Sequence, residues 1–182
     1  MERTAVNRLL VLVNGLPGSG KTTLGAELAL NLNASFLSKD IVKEGLAEST
    51  GGAVGGAKLG GIAMDTVWAL ARESSTDVVI DSWWFRPRDL GFARSGIERS
   101  GVRRVVEIWC DVPPEIARAR YASRQRAAVH QDLLSLSENW DDWATKAAPL
   151  GLTPVIVVDT TRTVDFADLA QRVRCTQSRS SK

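Results

Sequence analysis

A short apolar strand, a glycine-rich turn and a helix follow one another between residues 9 and 32, and this feature constrains the fold most. The turn, GLPGSGKT over residues 15–22, fits the pattern G-x-x-x-x-G-K-[ST] in full. Glycines let backbone N–H groups approach phosphate oxygens closely, and the start of the helix adds the positive end of its dipole. The segment therefore predicts a binding site for a nucleoside triphosphate.

Each position of this motif has an expected role. Lys21 is expected to reach the β- and γ-phosphates, and the hydroxyl of Thr22 is expected to bind Mg²⁺. The alternative is a glycine turn that matches by chance, and the strand before it and the helix after it argue against that. The residues expected to contact the nucleotide here are Gly15, Leu16, Pro17, Gly18, Ser19, Gly20, Lys21, Thr22 and Thr23.

The rest of the chain alternates apolar strands with helical segments. Strands are predicted over 9–14, 34–38, 77–82, 105–110 and 155–158, and helices over 22–32, 41–48, 62–73, 88–100, 113–126, 132–146 (with a break near 135–137) and 165–175. Continuously apolar strands are typical of a parallel sheet covered on both faces. We predict an α/β fold, a three-layer α/β/α sandwich with a mostly parallel five-stranded sheet, as one domain over residues 1–175 with a frayed tail over 176–182.

Composition excludes several classes of protein. The 182 residues are 44% hydrophobic and 24% charged, with a net charge of +2, as in ordinary globular proteins. The first apolar run, Leu9 to Val13, is too short for a membrane span or a signal peptide, so we expect a cytoplasmic protein without a membrane partner, as a monomer or a homodimer. Cys110 and Cys175 form no metal motif and are expected to be reduced.

One further segment stands out by composition. Residues 49–61 contain six glycines in thirteen positions, which predicts a mobile loop within the domain.

Two aspartates follow predicted strands at the sheet edge where ligands bind in such folds. Asp40, in FLSKD, is placed to orient an acceptor hydroxyl and accept its proton, although it could instead cap the next helix. Asp81 ends VVID, a Walker-B-like pattern, and is a candidate ligand of Mg²⁺ through water. Either aspartate could be the base.

Further candidates for the acceptor site come directly after Asp81. Trp83 and Trp84 could form a stacking wall, and Arg86 could hold an anion. Lys43 could line the same pocket. The alternatives are that one tryptophan packs beneath the sheet rim, that Arg86 forms only an ion pair, and that Lys43 lies on a solvated helix face.

The segment RARYASRQRAAVHQD carries closely spaced arginines. Arg120 and Arg124 are four residues apart and share a helix face, and Arg126 follows them. Arginines that close over a triphosphate stabilise the transferring phosphoryl group, so we interpret this segment as a lid, with His130 as a binding or packing residue. A solvated basic helix is the alternative.

Together these segments resemble small P-loop kinases of the nucleoside-kinase type. The likeness is to bacterial kinases related to the kinase domain of polynucleotide kinase and to chloramphenicol phosphotransferase, and it rests on GLPGSGKTTL, LSKDIVKEGL, VVIDSWWFRP, the arginine segment with VHQD, and VIVVDTT, in that order. It implies a P-loop NTPase fold and transfer of phosphate from ATP, with Mg²⁺, to a hydroxyl group. It also implies that Asp40 is the base and that Thr160 lies near the adenine.

The resemblance does not name the acceptor. We expect a small-molecule hydroxyl compound. The alternatives are a sugar nucleotide, a nucleic-acid 5′ end, which the lack of a broad basic face disfavours, and an ATP-dependent switch without an acceptor.

Overall fold

The computed structural model describes residues 8–123 and 132–176. Its elements in chain order are β1 (Leu9–Asn14), α1 (Lys21–Leu32), β2 (Ser35–Ser38), α2 (Lys39–Ser49), α3 (Gly56–Glu73), β3 (Val78–Asp81), α4 (Arg86–Ser100), β4 (Arg104–Asp111), α5 (Pro114–Ala122), α6 (Asp132–Lys146), β5 (Val155–Asp159) and α7 (Phe166–Cys175). The predicted extension of α5 to Arg126 and most of the predicted tail, residues 177–182, lie outside the described residues.

The five strands form one parallel sheet in the order β2-β3-β1-β4-β5. β1 lies at the centre, where Leu10 pairs with Val78 on one side and with Val105 on the other. Every residue of β1 is buried, because the strand has neighbours on both edges and helices on both faces. This burial explains its uninterrupted apolar sequence and confirms the predicted three-layer α/β/α fold.

The two faces of the sheet have separate cores. On one face, Leu28 of α1 and Leu169 of α7 pack against β1, β4 and β5. On the other, Val67 and Trp68 of α3 pack with Ala93 of α4 against β1 and β3. The carboxyl ends of all five parallel strands meet at one edge between these layers, and that edge carries the candidate site.

The prediction of a loop over residues 49–61 is wrong in its second half, because α3 already begins at Gly56. Leu59, Ala63 and Val67 recur every four residues and are fully buried, so this stretch has a helical apolar face. Burial of that face outweighs the low helix propensity of Gly60 and Gly61.

Two further boundaries also differ from the prediction. α6 runs without the expected break near residues 135–137, and Trp140, which is buried, anchors it against α5. α4 begins at Arg86, two residues early, because Pro87 fits the first turn of a helix. Within the described residues, no helix combines the length and the apolar character needed to cross a bilayer.

Candidate functional site

The turn between β1 and α1 has a backbone that only glycine allows. Gly18 and Gly20 have φ angles of +84° and +87°, in the left-handed region. A Cβ at Gly18 would lie 2.1 Å from the carbonyl oxygen of Ala117. α1 begins directly afterwards at Lys21, with Gly20 at its N-cap and no capping side chain. The N-terminus of a helix presents backbone N–H groups and the positive end of its dipole, which suits a phosphate.

Replacing Gly18 by alanine should destabilise the protein more than replacing Gly52, whose φ of +77° is nearly the same. A Cβ at Gly52 meets no other atom within 4 Å, so its cost is the left-handed conformation alone, about 1 kcal/mol. Gly18→Ala adds the collision with Ala117. Urea unfolding of both variants measures the difference, and equal losses of unfolding free energy would show that the turn relaxes freely.

The side chain of Lys21 lies over the turn formed by residues 15–22 (the phosphate turn). Its Nζ donates a hydrogen bond of 2.9 Å to the carbonyl oxygen of Leu16. Leu16 is itself buried with Val112 and Tyr121, and this packing holds the turn in place. The ammonium group is thus held beside the N–H groups where a phosphate would bind, and it can exchange a carbonyl partner for a phosphate oxygen.

Asp81 lies at the centre of a set of oxygen atoms at the end of β3. Its Oδ2 accepts hydrogen bonds from Thr22 Oγ1 at 2.7 Å and from Ser38 Oγ at 3.2 Å. Burial raises the pKa of the Asp81 carboxyl, and the charge of Asp40 acts in the same direction. The charge of Lys21 and the hydroxyl bonds act in the opposite direction and favour the carboxylate.

These oxygens fit Mg²⁺. Hydroxyl and carboxylate oxygens are hard ligands, and Mg²⁺ is usually held by one or two protein groups together with water and phosphate oxygens. No group of three or more His, Cys, Asp or Glu side chains that could hold a metal occurs in the part of the chain that the structure describes. Thr22 and Asp81 would therefore hold the ion together with the phosphates of a bound nucleotide.

Asp40 is exposed in the first turn of α2, which begins one residue earlier at Lys39. Ser38 is the N-cap residue, so the alternative in which Asp40 caps the helix is wrong. Ser38 pairs in register with Asp81, and Asp40 follows Ser38 by two residues, so the two aspartates lie at the neighbouring ends of β2 and β3, where the charge of Asp40 acts on Asp81. Asp40 therefore has both solvent access and a position beside the metal-binding oxygens.

Arg120 and Thr160 are linked to the phosphate turn by hydrogen bonds. Both terminal nitrogens of Arg120 donate to the carbonyl oxygen of Thr160 at 3.3 Å, and the Thr160 hydroxyl donates to the carbonyl oxygen of Ser19 at 2.7 Å. The structure thus brings α5 and the end of β5 against the turn. Arg124, Arg126 and His130 lie outside the described residues.

The buried side-chain amide of Asn14 holds the start of the phosphate turn in place. Asn14 Oδ1 accepts hydrogen bonds from the N–H groups of Gly15 at 2.8 Å and Trp84 at 3.1 Å. Asn14 Nδ2 donates to Glu107 Oε1 at 3.0 Å and to the carbonyl oxygen of Trp84 at 3.3 Å. Asn14 therefore ties the phosphate turn to the segment after β3. This role could not be predicted from the sequence, because Asn14 looks like the polar end of a strand.

Glu107→Gln should destabilise the fold by about 1–3 kcal/mol, because the new NH₂ group has to face a donor. Oε1 of Glu107 accepts from Asn14 and from the Leu150 N–H, and Oε2 accepts from the Gly151 N–H at 3.1 Å. Thermal unfolding measures the loss. The control is Glu98→Gln on an exposed face of α4, and equal melting temperatures for the two variants would contradict this role.

A cleft of about 520 Å³ lies between α2, α3 and α4, beside the ends of β2 and β3. Lys39 and Ser82 line it, and these are the chain neighbours of Asp40 and Asp81. The cleft therefore begins next to both aspartates. Its lining residues are Lys39, Lys43, Gly56, Ala57, Gly60, Gly61, Met64, Asp65, Trp68, Ser82, Trp83, Trp84, Arg88, Asp89, Phe92 and Arg99.

Of the residues predicted for an acceptor pocket, Lys43, Trp83 and Trp84 line this cleft. Trp84 is only 3% exposed and packs on Trp68 with ring centroids 6.4 Å apart, so it forms part of the floor. Trp83 is less buried and contacts the ring of Trp143. Arg86 is exposed at the start of α4 and does not line the cleft.

Several residues that line the cleft were not predicted from the sequence. Arg88 and Phe92 lie on α4, and the small residues Gly56, Gly60 and Gly61 lie on one face of α3. The glycines were assigned to a loop, and the four-residue spacing of Leu59, Ala63 and Val67 was the signal that could have placed them on a helix.

Comparison with known proteins agrees with this architecture. Residues 10–150 match the AAA domain family. A presumed kinase from Chloroflexus aurantiacus is similar, with a TM-score of 0.71 at 23% identity over 92% of this chain and 97% of that one. No curated protein matches the sequence.

Two other solved structures share the fold at lower similarity. A gluconokinase from Sinorhizobium meliloti 1021 has a TM-score of 0.57 at 17% identity over 92% of this chain and 90% of that one. A shikimate kinase from Acinetobacter baumannii, in complex with shikimate, has a TM-score of 0.51 at 19% identity over 96% and 95%. At these identities the likeness shows a shared fold.

Proposed function

Because the chain belongs to the AAA domain family of P-loop proteins, we propose that it transfers the γ-phosphate of MgATP to a hydroxyl group of a small molecule. One observation carries this proposal. Thr22 of the phosphate turn bonds to Asp81 at the end of β3, and the chain neighbours of Asp81 and Asp40, Ser82 and Lys39, line the 520 Å³ cleft. A nucleotide in the turn and an acceptor in the cleft would face each other across the two carboxylates.

The roles of the residues follow from this arrangement. The N–H groups of the turn and Lys21 bind the β- and γ-phosphates, and Thr22 and Asp81 hold Mg²⁺, which neutralises charge on the phosphates. Asp40 orients the acceptor hydroxyl and takes its proton as the new oxygen–phosphorus bond forms. The bond from phosphorus to the bridging oxygen of ADP breaks in the same step. Arg120 is placed beside the turn, and Arg124 and Arg126 are proposed to neutralise the transferring group with it.

The cleft favours a kinase over an ATP-dependent switch, because a switch needs no second binding site beside the γ-phosphate. Its volume matches one small ligand, in the range of about 300–1000 Å³ that such pockets have. Similarity to structures named as a gluconokinase and a shikimate kinase supports a small-molecule acceptor.

Release of ADP from MgATP across a panel of hydroxyl compounds tests the proposal. The panel contains nucleosides, sugars, sugar nucleotides, aminoglycoside and phenicol antibiotics, hydroxy acids and 5′-hydroxyl oligonucleotides. Mass spectrometry of each reaction identifies a phosphorylated product. A kinase shows release that depends on one class of acceptor, with one product formed per ADP.

Slow release of ADP that no acceptor stimulates, without any phosphorylated product, would favour the switch. Phosphorylation of the oligonucleotide alone, with an affinity that falls steeply as salt is added, would favour a nucleic-acid acceptor.

A further inference from the structure

Charge is distributed unevenly in the cleft. Four cationic side chains line it, Lys39, Lys43, Arg88 and Arg99, against two carboxylates of the lining, Asp65 and Asp89, while Asp40 and Asp81 lie next to the end of the cleft at β2 and β3. A pocket with an excess of positive charge attracts anions, and it does so more strongly where the walls exclude water. The excess of positive charge in the lining therefore favours an anionic acceptor.

Two of the cations are already paired. Arg88 Nε and Nη2 each donate to Asp89 at 2.7 Å, and Asp89 also accepts the N–H of Phe85 at 2.8 Å, which fixes it at the start of α4. Arg99 donates to Asp65 at 3.2 Å. The carboxylates of the lining are thus engaged by the arginines, and neither is bonded to Lys39.

Of the other two cations, Lys43 has an interaction of its own, and Lys39 remains. It is half-buried, and no hydrogen bond or ion pair to it occurs among residues 8–123 and 132–176 as far as their side chains are described. Burial lowers the pKa of the Lys39 amine, and the charges of Lys43 and Arg88 add to this effect, while Asp40 and Asp89 oppose it. Withdrawing an ammonium group from water is unfavourable unless an anion compensates for it. An anionic ligand would provide that compensation.

The wall that α3 forms is small and open. It presents Gly56, Gly60 and Gly61, and a Cβ at Gly60 would lie 3.9 Å from Lys39 Nζ, whereas a Cβ at Gly61 would meet no atom within 4 Å. Phe92 is 71% exposed on α4 and lines the same cleft. With Trp83 it offers apolar ring surface to a flat group. The cleft therefore combines the Lys39 cation with aromatic side chains and free space along α3.

We propose that the acceptor is a small hydroxyl compound with a carboxylate or phosphate group and a flat apolar body, and that Lys39 binds its anionic group. This inference rests on the proposed function, because only a kinase makes the bound compound a phosphate acceptor. Binding of the anion in the cleft does not itself depend on phosphoryl transfer.

Isothermal titration calorimetry without nucleotide tests the inference separately from the reaction. The probes are 4-hydroxymethylbenzoate, 4-hydroxymethylphenyl phosphate, the neutral 4-hydroxymethylbenzamide and a 5′-hydroxyl oligonucleotide. We expect at least one acid to bind 10-fold or more tightly than the amide. The better of the two acids identifies carboxylate or phosphate as the preferred group.

Two variants with matched controls locate the site. Lys39→Met keeps the length and apolar stem of the side chain and should remove the 10-fold preference for the acid, whereas Lys58→Met on the exposed side of α3 should keep it. Gly61→Leu should fill the cleft and weaken every probe, whereas Gly45→Leu, an exposed glycine of α2 with equal free space, should not. Melting temperatures check that each variant folds.

The possible results separate this inference from the proposed function. No preference of the wild-type protein for either acid over the amide, including no binding of any probe, would overturn the anionic acceptor. Tighter binding of the oligonucleotide than of both acids would also overturn it, in favour of a nucleic acid. Product formation in the ADP assay with neutral acceptors would leave the kinase intact while refuting the charge requirement. Selective acid binding without any phosphorylated product would refute only the kinase.

Discussion

Lys21→Ala is expected to reduce phosphoryl transfer by a factor of about 100 to 1000, the usual cost of removing one electrostatic group aimed at the reacting centre. Lys21 Nζ bonds to Leu16 across the phosphate turn, whereas Arg120 is held by the carbonyl oxygen of Thr160. The loss should fall on ADP release with acceptor and without it alike. Initial rates with saturating MgATP measure it.

The matched control is Lys146→Ala at the end of α6, a half-exposed lysine paired with Asp142 far from the turn in sequence. It removes the same charge and should leave the rate within a factor of about two, because exposed ion pairs contribute little. A rate for Lys21→Ala equal to that of the control would contradict the phosphate role of the turn. Both variants should keep the melting temperature within a few degrees, since neither removes a core contact.

Asp40→Asn is expected to lower the transfer rate by about 100- to 10,000-fold, the usual contribution of a positioned general base. The amide keeps the shape of the side chain but cannot take the proton of the acceptor hydroxyl. Release of ADP in the absence of acceptor should change little, because that reaction uses water. The ratio of the stimulated to the basal rate therefore measures the role of Asp40.

Asp81→Asn distinguishes the second carboxylate from the first. Asp81 is 4% exposed and accepts hydrogen bonds from Thr22 and Ser38, so it is poorly placed to reach an acceptor directly. Its loss should raise the Mg²⁺ concentration needed for half-maximal rate, whereas Asp40→Asn should not. Glu48→Gln, two turns beyond Asp40 on the exposed face of α2, is the neutral control. A shifted Mg²⁺ requirement in Asp40→Asn instead would exchange the two roles.

Much of the architecture could be predicted because it depends on local sequence. An apolar strand followed by glycines and a Lys-Thr pair has few alternative structures, and Gly18 and Gly20 do adopt the left-handed φ that the turn needs. The five strands were predicted because buried parallel strands are apolar throughout. Boundary errors of one or two residues, as at Arg86, arise where a proline can begin a helix at either of two positions.

The cleft could not be predicted in the same way, because its walls come from three separate helices. Gly56, Gly60 and Gly61 look like a flexible loop in the sequence, and only the burial of Leu59 and Ala63 in the folded protein makes this stretch a helix that lines the cleft. Lys39 looks like an exposed lysine, and only its position beneath α3 withdraws it from water.

The sequence by itself determined the phosphate turn and the order of strands and helices, since both follow from backbone geometry and from which residues avoid water over short spans. The tertiary structure alone decided which charges remain for a ligand. Arg88 and Arg99 became paired with Asp89 and Asp65, and Lys39 did not. Pairing of charges depends on distances between elements far apart in the chain, and those distances exist only once the helices have packed on the sheet.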